Sequence, residues 1–118
     1  MCSTLGLTLQ LKVKTMIKVS VMYPNSDKAF FDINYYVNTH FPLVSGLLGD
    51  ALIGVSVDSG LSGGTINEKP AFIAIGHLMF DSLKAFEDSF SPHAEEILAD
   101  LPNFTNVQPQ VQINKVEI

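Results

Sequence analysis

The chain has 118 residues, enough for one domain with a real core and too few for two. Its formal charge of −5 argues against a nucleic-acid-binding face, and no apolar run approaches the roughly 20 residues a membrane helix needs. Arginine and tryptophan are absent, so nothing offers the bidentate fork that usually holds phosphates, nucleotides or haem propionates.

Residues 1–15 stand apart. They hold the only cysteine, Cys2, which leaves no internal disulfide and fits a reducing, cytoplasmic setting. They lack a basic start and a small-residue cleavage site, so they make a poor signal peptide. They read as an extension outside the domain. The alternative is an added strand, since Leu7, Leu9, Leu11 and Val13 alternate with polar residues.

From Met16 the pattern is regular. Ile17–Tyr23 alternates and is rich in β-branched residues, which predicts a strand. A turn cluster follows at Pro24–Asp27. Asp32 is placed to cap a helix whose apolar stripe is Ile33, Val37, Phe41, Val44 and Leu48. Pro42 lacks an N–H and restricts Phe41, which predicts a kink or break with a short second segment after it. Ala51–Val57 reads as a second strand, and Asp58–Pro70 as a Gly- and Ser-rich loop without the Gly-Lys-Ser/Thr of a phosphate loop. Ala71–Phe80 reads as a third strand. Asp81 or Ser82 then caps a helix with stripe Leu83, Phe86, Phe90, Ala94 and Ile97, interrupted at Pro92. Val107–Val116 closes the series as a strand.

The order β-α-β-β-α-β is that of an α+β ferredoxin-like domain, with an antiparallel sheet and both helices on one face. The third strand carries apolar residues on both sides, Ile73, Ile75 and Met79 on one and Phe72, Ala74, Leu78 and Phe80 on the other. Helices can cover only one side, so a second copy packed sheet against sheet is the simplest cover, which predicts a homodimer.

Three histidines are the candidate acids and bases: His40 at a predicted helix end, His77 within the third strand, and His93 after Pro92. Each also has a purely structural reading, as a cap, a core residue and a surface residue respectively. Tyr36 and His40 are four apart on one helix and share a face, so the phenol stands near the imidazole. The histidine spacing has none of the i, i+4 logic of helical zinc sites, so no metal is expected. No nucleophile elbow is present.

The segments MIKVSVMYPN, FDINYYVNTHFPLV, AFIAIGHLMFDSLKAFEDSFSPHAEEILADLPNFTN and VQPQVQINKV, spanning Met16 to Val116, resemble the EthD family, named for ethyl tert-butyl ether degradation. The resemblance implies a domain over residues 16–118 with the fold of the dimeric α+β-barrel proteins. It also implies a ligand site in the cleft between sheet and helices. It aligns His40 with the histidine of the Y-Y-x-x-x-H-x-P motif and His77 with a strand histidine of the family. The expectation is a small dimeric enzyme acting on a hydrophobic or oxygenated compound without a bound cofactor. Its chemistry would be that of an oxidoreductase of the monooxygenase type, or of a proton-transfer isomerase or cyclase. His40, His77 and Tyr36 are the catalytic candidates; Tyr35, His93, Phe41 and Phe90 are the substrate-binding ones. The rivals are a non-catalytic carrier of a lipophilic metabolite and a haem-binding barrel. Nucleic-acid and membrane partners are not expected.

Overall fold

The structure is a computed structural model and describes residues 16–118. The expectations for residues 1–15 lie outside the described residues. Four strands, β1 (Ile17–Pro24), β2 (Gly54–Ser59), β3 (Phe72–Phe80) and β4 (Gln110–Lys115), form one antiparallel sheet in the order β2-β3-β1-β4. The ferredoxin-like βαββαβ topology read from the sequence is therefore the fold.

The first helix, α1, covers residues 33–48. Asp32 caps it as expected, its carboxylate accepting from the Tyr35 N–H at 3.1 Å. Pro42 does not end it. The helix passes through a π turn at Tyr36–His40 and resumes as α-helix at Phe41–Leu48. In that turn the Phe41 N–H reaches back five residues to the Tyr36 carbonyl. A proline ring in a regular helix clashes with the carbonyl four residues earlier, and the wider turn gives it room. The extra residue also rotates the apolar face. Phe41, Val44 and Leu48 are buried as predicted, but Val37 is 44% exposed, and Tyr36 and His40 are buried instead.

The second helical stretch starts with α2 (Leu83–Phe90). Ser82, one of the two predicted caps, accepts from the Ala85 N–H at 3.0 Å. At Pro92 a single 3₁₀ turn, Ser91–His93, separates α2 from α3 (Ala94–Ala99), so the interruption predicted there is real. Ile97 from the predicted stripe is buried, whereas Leu83 faces out.

The layer between helices and sheet holds two packed clusters. One gathers Ile17, Val19, Val44, Leu48, Phe80 and Ile97; the other gathers Tyr23, Tyr36, Phe41, Ala74 and Phe104. Gly76 belongs to this side of β3. A Cβ there would land on the Tyr36 hydroxyl, so only glycine lets α1 come this close to the sheet. The opposite face of the sheet carries Ile75, His77 and Met79 beside Lys18, Ser20 and Met22, a mixture of apolar and polar side chains that is only partly buried.

Candidate active site

Between the two clusters lies a cavity of about 260 Å³. Val19, Val21, Leu78 and Phe80 form its sheet wall, and Phe41, Val44, Leu48, Phe86, Phe90 and Ile97 its helix wall. Leu98, Leu101, Pro109 and Val111 also border it, and Leu98 and Val111 are well exposed, so the cavity opens between α3 and the edge strand β4. His40, Tyr23 and Tyr36 bring the polar atoms of the lining.

His40 comes from the π turn, whose rotation turns its ring inward. The imidazole stacks on Tyr36 (centroids 5.6 Å, 14° between planes) and touches Phe104 (4.7 Å). Its Nδ1 lies 2.9 Å from Asp100 Oδ2. Asp100 follows α3 and also receives the Tyr35 hydroxyl (2.7 Å) and the Asn103 amide (2.8 Å) on Oδ1. Burial pushes the Asp100 carboxyl up, but donation from Asn103, His40 and Tyr35 outweighs it and holds the group below the usual carboxylate range. An ionised carboxylate can only accept, so His40 Nδ1 carries the proton. That leaves Nε2 with a free lone pair. It makes no hydrogen bond to the described residues, and no polar side-chain atom among them is both sealed from solvent and unpartnered. His40 borders the cavity, and Nε2 is the ring nitrogen left for a ligand there. Burial lowers the imidazole's basicity and Asp100 opposes the effect only in part, so the ring is neutral at pH 7.

The segment Asp100–Asn106 builds this arrangement. Asp100 and Asn103 set the carboxylate, and fully buried Phe104 backs the imidazole. The Thr105 hydroxyl donates to the Phe30 carbonyl at 2.7 Å, and Asn106 bonds both Phe30 and Lys28, which ties the segment to the start of α1.

The predicted site residues divide. His40, Tyr36, Phe41 and Phe90 border the cavity. Tyr36 is 1% exposed and packs edge-on against Tyr23 (centroids 5.5 Å), with burial driving both phenols up, Tyr23 to about 12. Tyr35 stays outside the lining and supports Asp100. His93 sits in the 3₁₀ turn before α3 and does not line the cavity. His77 does not share the cavity with His40. Strand alternation puts Leu78 and Phe80 toward the helices and turns His77 to the other face. There its Nδ1 is 3.0 Å from Ser20 Oγ and its Nε2 3.4 Å from Asp58 Oδ2. His40 is also not a helix-ending residue, since the helix runs on to Leu48. Sequence reading missed Asp100, which lies 60 residues from its partner. Its one sequence signal is its place at the head of the D-x-P-N-F-T-N segment. Among the described residues no cluster of histidine, cysteine and acidic side chains is placed to hold a metal, and no helix is long and apolar enough to cross a membrane.

Comparison with known proteins agrees with this architecture. The model of the EthD domain matches residues 24–108. An EthD-like protein from Ralstonia eutropha JMP134 is 39% identical, with a TM-score of 0.85 over 89% of this chain and 95% of that one. A dimeric ferredoxin-like protein from Thermobifida fusca YX is 13% identical (TM-score 0.58, 86% and 91% covered). SnoaB, a cofactor-independent oxygenase from Streptomyces nogalater, is 6% identical (TM-score 0.54, 87% and 93% covered). At such identities the last two are likenesses of fold alone. No curated protein matches.

Proposed function

The chain belongs to the EthD family, and from that premise we propose that it is a small enzyme using His40 as a general base on a hydrophobic or oxygenated organic compound held in the cavity, without a bound cofactor. One observation carries this reading: an imidazole whose Nδ1–H is fixed by an ionised carboxylate presents a bare Nε2 to an otherwise apolar, ligand-sized space. Asp100 orients the ring and stabilises the imidazolium formed when Nε2 takes a proton. Withdrawing a proton from a weakly acidic group makes an electron-rich intermediate. Such an intermediate suits either isomerisation or cyclisation, or oxygenation of the kind named for SnoaB.

His77, on the other face, has no part in this step. Against the haem alternative, the lining residues of the cavity include no cationic side chain for propionates. A second reading, a carrier of a lipophilic metabolite, is favoured by the lack of any accessible donor in the cavity to hold developing negative charge. Turnover separates the two. Compounds that raise the melting point are incubated with the protein in air, and products are followed by mass spectrometry. His40→Gln is expected to lower turnover by about 10²-fold or more, the usual contribution of a general base, with folding retained. Binding without turnover supports the carrier.

The same reading includes a homodimer. Ile75, Met79 and Met22 lie on a sheet face that no helix among the described residues covers, and the related fold from Thermobifida fusca is described as dimeric. Packing this face against a second copy would bury them together with the His77 cluster.

A further inference from the structure

Resting on the reading that this cavity is the ligand site, we infer that its ligand is an uncharged, largely apolar molecule that presents one hydrogen-bond donor, a phenolic or enolic O–H, rather than an ether, a ketone or a carboxylate. The cavity's hydrogen-bonding inventory is one-sided. His40 Nε2 is an acceptor, because Asp100 fixes the proton on Nδ1. The donors that border the cavity are the hydroxyls of Tyr23 and Tyr36, and on residues only 1% exposed they are out of a ligand's reach. The remaining lining residues are aliphatic, aromatic or proline.

A ligand whose sole polar atom is an acceptor would leave that atom unpaired and would cap Nε2 with hydrocarbon. Both cost free energy in a dry site. A carboxylate meets no cation among the described lining residues, and the Asp100 carboxylate stands behind the imidazole. A hydroxyl donating to Nε2 satisfies both partners at once. It also places its acidic proton on the atom that would remove it. The volume, about 260 Å³, exceeds the ~150 Å³ of an apolar cavity known to take benzene, so a two-ring molecule fits.

The test is a size-matched panel: 1-naphthol, 1-methoxynaphthalene, 1-tetralone, naphthalene and 1-naphthoate, each titrated against the full chain by calorimetry. The naphthol is expected to bind about tenfold or more tightly than the methyl ether, the ketone and the hydrocarbon, as one net hydrogen bond gives. The naphthoate is expected to bind most weakly. In His40→Phe, which keeps a ring and removes the acceptor, the naphthol and its methyl ether should bind alike. The wild-type panel decides by itself should that variant not fold. Equal affinity of wild type for naphthol and ether, or preference for the ketone or naphthoate, overturns the inference while leaving the cavity as the site. Failure of every member to bind overturns the cavity reading and the inference with it.

Discussion

Burial and Asp100 pull the His40 imidazole in opposite directions, and burial wins. The sign of the pH dependence follows. In the unfolded chain the ring titrates near its ordinary 6.5, whereas in the native state it resists protonation. Below that pH the unfolded chain binds the extra proton, so stability falls as pH falls. Asp100, held below its ordinary 3.8, adds stability that is present above that value and lost in stronger acid. A melting series from about pH 7.5 to about pH 5 should therefore decline for wild type and stay flatter for His40→Gln. Asp100→Asn makes a separate prediction. A carboxamide has one acceptor oxygen for three donors, from His40, Tyr35 and Asn103. It should lose about 1–3 kcal/mol of stability by denaturant unfolding and no longer fix the tautomer. Much of this chemistry was hidden in the sequence. Tyr36 and His40 sharing a face is a local fact that spacing shows. The pairing of His40 with Asp100 depends on the middle of α1 meeting the end of α3, 60 residues away, which no periodicity encodes.

At the level of elements, α1 and β3 fit because each yields. The π turn at Tyr36–His40 accommodates Pro42 and turns His40 inward, while Gly76 accepts the Tyr36 ring. The sequence showed that Pro42 would disturb the helix, and the caps Asp32 and Ser82 were legible from their side chains. It did not show that the disturbance would be a widened turn, so Val37 was expected inside and lies outside. Alternation gave the two faces of β3, but not which face the helices would take, and that choice separates His77 from the cavity. Gly76→Ala should cost about 1–3 kcal/mol by overpacking against the Tyr36 hydroxyl. Adding Tyr36→Phe should recover part of the loss, and a double-mutant cycle by denaturant unfolding measures the coupling. Two independent, additive losses would show that the close approach at Gly76 is not what that residue provides.

For the whole molecule, the antiparallel βαββαβ order was readable from strand and helix periods, and the fold agrees. The far side of the sheet is more polar than β3 alone suggested, because β1 contributes Lys18 and Ser20 there. Static light scattering at micromolar concentration should give twice the 12.9 kDa chain mass; a persistent monomer would remove the sheet-to-sheet arrangement. The hollow between the two core clusters gives the molecule its site, and everything proposed for its chemistry depends on which nitrogen of His40 faces that hollow. Long-range proton–nitrogen correlation NMR on the ¹⁵N-labelled protein reads this directly. The expected result is a neutral ring at pH 7, protonated on Nδ1 and bare on Nε2, with the Nε2 resonance moving when 1-naphthol is added. An Nε2–H tautomer, or an imidazolium already formed at pH 7, would contradict it.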